Sequence, residues 1–284
     1  MPIKWRFRAR DGLSEKAVFA LKLRPWFAHL LYMLGFDGTP KKPGMPVKQR
    51  LLLKAAYFLS VLLGISTSAF SLAAAAQNNS HWNTDNVLGM MDNSAKDFRS
   101  LTADIEHVKY TAVVNDTSTE SGQIFVRHDQ KMRIEIAKPD PRTILRTGDS
   151  LFLYNPKISR VEEYDLGKNR ALVDQYVRLG FGTKSEDLRK SYLVTVASEE
   201  ELDHKKTILL ELTPKSDQVR SQIIRIQMWI DEASWLPIQQ KFFEAGSGDY
   251  VLFHYSNMMK NLKINDSRFK QNWPKNVEKV KPRA

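Results

Sequence analysis

GQIFVRHDQKMRIEIAKPDPRTILRTGDSLFLYNPKISRVEEY, residues Gly122–Tyr164, is the stretch whose reading decides the fold. It divides into five short strands joined by tight turns. In Lys131–Ala137 the residues Met132, Ile134 and Ile136 alternate with Lys131, Arg133 and Glu135, the period-two pattern of a strand with one apolar and one wetted face. Turn chemistry brackets it, His128-Asp129-Gln130 before and Lys138-Pro139-Asp140-Pro141 after. Strands follow at Thr143–Arg146, Leu151–Tyr154 and Ile158–Tyr164, separated by Thr147-Gly148-Asp149 and Asn155-Pro156. Such a meander implies an antiparallel sheet, half of it facing water.

The same pattern extends outward. Leu101–Val114 is an expected first strand, Asn115-Asp116-Thr117-Ser118 its hairpin turn, and Gly122–His128 the return. Before it, Asp85 or Thr84 can cap a helix that runs to about Phe98, with Val87, Leu88, Met91, Ala95 and Phe98 on one face. Downstream, Tyr192–Ala197, Thr207–Thr213, Gln222–Asp231, Leu236–Phe243 and Tyr250–Ser256 return to strand patterning. Ile224, Ile226, Met228 and Ile230 fall on one face of their strand, as do Val251, Phe253 and Tyr255 of theirs. The expected class is mainly β (α+β): an incomplete antiparallel β-barrel of about 10–11 strands, with short helices as a lid and an N-terminal helix. Charge at Lys131, Arg133, Glu135, Glu211 and Lys241 speaks against a lipid-facing outer wall. Apolar side chains should therefore point into the curl and charged ones out to water.

Between the two sets of strands, Asn169–Leu179 carries Leu172, Val173, Tyr176, Val177 and Leu179 in a helical stripe that ends at Gly180-Phe181-Gly182. Ser185–Lys190 adds another helical turn. The stripe either simply covers the core or, being flanked by glycine and short, forms a movable lid over an apolar hollow.

The 284 residues and 42% hydrophobic content allow a domain with a real core plus a targeting region. Cysteine is absent, which excludes disulfides, thiol catalysis and a lipidated N-terminal Cys on this chain. The formal charge of +11 is unevenly placed: residues 1–76 hold 12 Lys/Arg against 3 Asp/Glu, and residues 77–284 hold 31 against 29. The near-neutral remainder is poor support for nucleic-acid binding. Residues 1–44 form a basic extension, read as a cytoplasmic tail, an amphipathic surface helix or sequence upstream of the true start. Met45 opens an export signal in its own right: Lys48 and Arg50 with Lys54, the apolar Ala55–Phe70, then Ala74-Ala75-Ala76 before Gln77. The expected domains are thus 1–44, a secretory signal peptide at 45–76, and a folded domain at 77–284. Residues 55–76 left uncleaved would instead anchor the chain in the inner membrane. Either way the folded part faces the periplasm.

Enzymatic readings find little. The six His residues (His29, His81, His107, His128, His204 and His254) show no metal-binding spacing, and there is no G-x-S-x-G elbow, P-loop or G-x-G-x-x-G. His128 with Asp129 reads as a turn pair, and Glu162-Glu163 and Glu199-Glu200-Glu201 as solvated surface. No catalytic residue, metal or cofactor is expected.

The order Gly122-x-hydrophobic-aromatic-Val-basic, a strand, a Pro-bearing turn, then Ile144-Leu145…Gly148-Asp149…Leu151-Phe152-x-Tyr154-Asn155-Pro156 resembles the periplasmic lipoprotein carrier LolA and its relatives. Leu212-Thr213-Pro214-Lys215 leading into Ile223–Asp231 is similar to that family's later hairpin, and Ser267-Arg268-Phe269 with Trp273-Pro274 to its closing F-x-x-x-x-P strand. The likeness covers roughly Asn83 to Val280 in colinear order. It implies a LolA-like half-barrel that binds acyl chains of lipoproteins and shuttles them from the inner to the outer membrane, a chaperone in outer-membrane biogenesis. The implied partners are acylated lipoproteins, an inner-membrane lipoprotein-releasing ABC transporter and an outer-membrane acceptor, with the carrier a monomer. The alternative is a LolA-like sensor or scaffold domain that binds a protein partner in the envelope. The lipid-binding set this gives is Ile124, Val126, Met132, Ile134, Ile136, Leu151, Leu153, Ile224, Ile226 and Met228, with Leu172, Val173, Tyr176 and Val177 on the lid. The family's lid-latching arginine falls at His128 here. Alternation puts the neighbouring Arg127 and Arg133 on the face opposite Met132.

Overall fold

The computed structural model describes residues 81–167 and 179–282. The extension at 1–44, the signal at 45–76 and the lid residues Leu172, Val173, Tyr176 and Val177 lie outside the described residues. The Gly122–Tyr164 meander is present as expected. It comprises the end of β2 (Asp116–Arg127), β3 (Lys131–Lys138), β4 (Arg142–Thr147), β5 (Ser150–Asn155) and β6 (Arg160–Asp165). β1 (Ser100–Thr111) precedes it. The second run is β7 (Tyr192–Leu202), β8 (Lys205–Pro214), β9 (Ile223–Asp231), β10 (Pro237–Glu244) and β11 (Tyr250–Lys260), and β12 (Glu278–Val280) closes the order. Short helices are α1 (Thr84–Lys96), α2 (Ser185–Ser191) and α3 (Asp217–Arg220).

All these strands form one open 12-stranded sheet in the order β12-β6-β5-β4-β3-β2-β1-β11-β10-β9-β8-β7. The two meanders are stitched together by β1 and β11, antiparallel, with Ile105 opposite Tyr255 and His107 opposite Phe253. The ends do not pair with one another, so the incomplete barrel stays incomplete. The twelfth strand is the addition to the expected 10–11. Three residues long and parallel to β6, it is too short to leave a period-two signature.

This topology places two straps. The chain leaves β6 near one edge of the sheet and re-enters at β7 on the opposite edge, and the described parts of the connection lie on one face. Leu166, Leu179, Phe181 and Leu188 of that connection are buried in the same apolar cluster as the inner-face residues of the strands. Val87, Leu88 and Met91 of α1 join them. A second strap runs from β11 in mid-sheet to β12 at the edge, over the outer face. There Phe269 buries with Phe125, Leu145, Phe152 and Val161, and Ile264, Trp273 and Val277 pack alongside. Each face of a sheet this wide has apolar side chains to hide, and each strap hides one set.

Several local expectations need correction. The cap of α1 is Asn83, which accepts from the Asn86 amide at 2.8 Å, rather than Thr84 or Asp85. The first hairpin turns earlier than Asn115–Ser118, since Asp116–Ser118 already pair with Thr111, Tyr110 and Lys109. Ser267-Arg268-Phe269 is a 3-10 turn within Asp266–Phe269 rather than a closing strand. Its role is to drive Phe269 into the outer-face cluster. Gly122, at a register shift between β2 and β3, is fixed by contact: a Cβ there would lie 2.0 Å from the Glu135 carbonyl oxygen.

Candidate functional site

Strand register lines the inner face up in rows. Leu101, Val126, Met132, Arg146, Leu151 and Tyr164 stand opposite one another across β1 to β6. One step along, Ala103, Ile124, Ile134, Ile144 and Leu153 do the same. In the other half Val194, Leu212, Ile226, Phe242 and Val251 form a matching row across β7 to β11. Of the ten residues expected to contact lipid, Ile124, Val126, Met132, Ile134, Ile136, Leu151, Leu153, Ile226 and Met228 are all buried in this one cluster.

Ile224 is the exception. It is 49% exposed, whereas Ile223 and Ile226 are wholly buried. Arg225 pairs with Phe243 but Ile223 pairs with the next residue, Glu244, so the chain bulges at Ile224 and the alternation resets. Simple counting by two carried Ile224 onto the wrong face.

The inner wall also carries polar groups, contrary to the expectation that charge points outward. Gln240, 2% exposed, donates from Nε2 to the Leu179 carbonyl at 2.7 Å, and the Tyr255 hydroxyl donates to Gln240 Oε1 at 2.9 Å. Burial pushes the Tyr255 phenol well above its ordinary range, so it remains a neutral donor. The strap is thereby hydrogen-bonded to the wall at its re-entry point. Phe181 packs edge-on against the Tyr255 ring, centroids 5.1 Å apart. Gly180, between Leu179 and Phe181 in the chain, adopts φ +79, and a Cβ there would lie 2.9 Å from Met228 Sδ. Gly180-Phe181 therefore anchors the connection to the wall; the helix that this glycine pair was expected to end lies outside the described residues.

A second polar group sits at one end of the inner face. His107 Nδ1 lies 2.8 Å from Glu120 Oε2, and Arg142 donates to both oxygens of Glu120 at 2.5 Å. Burial pushes the Glu120 carboxyl up, but the hydrogen bonds from His107 and Arg142 and their charges outweigh it and hold the pKa at about 2. His107 stacks on Phe253 with centroids 4.9 Å apart. Arg146, 0% exposed, is the one charged side chain in the row between Met132 and Leu151.

The arginines near the family's latch position stay on the outer face. Arg127 donates to Asp129 at 2.8 Å and 2.7 Å and stacks over Phe269, and Arg133 donates to Glu135 at 2.5 Å. Asp129 is thus engaged by Arg127, and the His128 ring lies 3.2 Å from the Arg99 carbonyl, as suits a turn. The sequence did carry a signal for the missed residues. Counting by two from Ile144 gives Arg142 and Arg146, and from Phe242 gives Gln240.

The helices fasten to each other and to the sheet. Asp92 of α1 accepts from the Ser185 amide at 2.7 Å and its hydroxyl at 2.5 Å, where α2 begins. Ser94 donates to the Ser234 carbonyl at 2.9 Å. Among the described residues, no group of three or more His, Asp or Glu could hold a metal ion, and no helix is long and apolar enough to cross a membrane.

A family model described as uncharacterized-protein-like matches residues 128–265. No curated protein matches the sequence. The solved structures similar to this chain include a LolA superfamily protein. That protein, from Nitrosomonas europaea, is 14% identical, with 67% of this chain and 99% of that chain covered and a TM-score of 0.36. An uncharacterized conserved protein from Thermus thermophilus is 9% identical, covering 70% and 98%, with a TM-score of 0.48. The MucA/MucB complex of Pseudomonas aeruginosa gives 12% identity, covering 66% of this chain and 61% of that chain, with a TM-score of 0.40. The functional reading rests on the geometry of this chain.

Proposed function

We propose that this protein is an envelope carrier that holds the acyl chains of lipoproteins against the inner face of its half-barrel and passes them from the inner to the outer membrane. The observation that carries the reading is the cover. Among the described residues, the wide apolar sheet face is covered by the 13-residue helix α1 and by Leu166, Leu179, Phe181 and Leu188 of the β6–β7 connection, with no second sheet packed on it. The strap is held beside the apolar wall by the Gln240 and Tyr255 hydrogen bonds. An acyl chain gains roughly 0.8 kcal/mol for each methylene it buries, so a face of this kind is a suitable refuge from water. Displacing a strap costs only the contacts it makes, and ligand can offset that through its greater affinity for the opened form.

The proposal takes residues 45–76 as the export signal, which places the folded domain in the periplasm. Loading and release are assigned to an inner-membrane transporter and an outer-membrane acceptor. No covalent chemistry is involved. Native mass spectrometry with lipid extraction, on protein purified from the envelope, tests the reading. Co-purifying diacylglyceryl or triacylated species support it. A stoichiometric protein partner without lipid would replace it with the sensor or scaffold alternative.

A further inference from the structure

The outer face holds a concavity that the acyl-binding reading leaves unused. Thr102, Phe125 and Arg133 stand side by side in register on β1, β2 and β3 and form its floor. The outer strap from Leu262 to Asn272 forms its wall, around a volume of about 430 Å³, within the usual range for small-molecule sites.

Its chemistry is that of a site for an anion. Thr102 is 7% exposed, and its hydroxyl is buried without a hydrogen-bond partner. A buried hydroxyl left unpaired is costly in a folded protein, and a ligand atom is one way to satisfy it. Arg133 Nε donates to Glu135 Oε1 at 2.5 Å, while Arg268 lies 3.6 Å from the other Glu135 oxygen. One carboxylate is therefore shared by two guanidinium groups, and Lys263 adds a third cation to the lining. The Arg268 guanidinium lies over the Phe125 ring, 4.4 Å from its centroid, which fixes it at the floor. The surroundings reinforce the sign: residues 260–282 contain seven Lys/Arg and two Asp/Glu.

We propose that this outer-face pocket binds a phosphate ester on a small polar body. The phosphate sits by Arg133 and Arg268 and accepts a hydrogen bond from Thr102 Oγ1. Guanidinium groups suit phosphate because they offer several donors in a fixed plane. The site lies on the opposite face from the proposed acyl site and does not depend on it.

The test titrates the purified protein with glycerol 3-phosphate, glycerol as control, following backbone amide shifts by NMR. A second arm measures binding to phosphatidylglycerol vesicles against phosphatidylcholine vesicles. Saturable shifts at Thr102, Phe125 and Arg268 with the soluble phosphate assign a free ligand. Selective binding to phosphatidylglycerol vesicles that both variants weaken assigns a lipid headgroup. Thr102→Val removes the hydroxyl while keeping side-chain shape, and with no partner lost its melting temperature should not fall. Arg268→Gln removes the cation stacked on Phe125. Each should weaken binding about tenfold. The proposal is overturned if neither arm shows binding, or if both folded variants bind as tightly as the parent.

Discussion

Gln240 and Leu179 are joined by a buried hydrogen bond, side-chain amide to backbone carbonyl, at 2.7 Å. The bond ties a strap that joins opposite edges of the sheet to the middle of the wall it covers. Gln240→Leu would leave the Leu179 carbonyl and the Tyr255 hydroxyl without this partner, and should cost roughly 1–3 kcal/mol. The amides of Leu179–Gly182 should exchange faster with solvent, while those of β3–β5 are unchanged below global unfolding. Hydrogen exchange resolved by residue measures this. Uniform acceleration over the whole sheet would show that the bond supports the core in general rather than the strap.

Met132→Glu should abolish acyl loading, because a carboxylate on an apolar wall disfavours contact with hydrocarbon. Far-UV circular dichroism of the variant checks that the domain still folds. Ile224→Glu, on the exposed crest of the bulge, should load as the parent does. A fluorescent fatty-acid binding assay on the two variants checks the contrast.

The Glu120 cluster predicts a pH dependence. Its carboxyl has a folded pKa of about 2 against an ordinary value of 4.5. Because the folded value is depressed, the stabilisation is fully present above about pH 4.5 and is lost as pH falls towards 2, by roughly 2–3 kcal/mol. The parent's stability advantage over Glu120→Gln in urea melts should shrink progressively as pH falls through that interval. A constant difference between parent and variant across it would show that the ionised carboxylate contributes nothing specific.

Gly122→Ala tests the close approach of β2 to β3. A methyl group placed 2.0 Å from the Glu135 carbonyl oxygen forces the strands apart, and a loss of about 3 kcal/mol or more is expected. Gly89, whose added Cβ would meet nothing within 4 Å, is the control. Alanine there should be neutral or stabilising, because glycine is a poor helix former.

Much of the fold was legible in the sequence because half-wetted strands write their period into it. Met132, Ile134 and Ile136 located β3 and its inner face with no other information. Legibility ended where the period breaks. The bulge at Ile224 is invisible to alternation because nothing in a run of Ile and Arg marks the extra residue. The polar inner-face residues were missed for a different reason. Arg142, Arg146, Glu120 and Gln240 obey the period, but charge and amide were assumed to face water, and only cross-strand partners make their burial tolerable. Those partners come from other strands or the strap, as when Glu120 on β2 meets His107 on β1 and Arg142 on β4. The outer-face pocket was equally hidden, because its wall is a loop whose docking no local pattern specifies.

The central claim is that acyl chains lie on the inner face. The most direct measurement is paramagnetic broadening of methionine methyl signals by doxyl-labelled stearate. Met132 and Met228 are buried on the inner face, and Met259 is 53% exposed. The account predicts saturable broadening of the Met132 and Met228 methyls, with Met259 little affected and the effect lost in the presence of excess unlabelled stearate. Broadening of Met259 with Met132 and Met228 left sharp would contradict it.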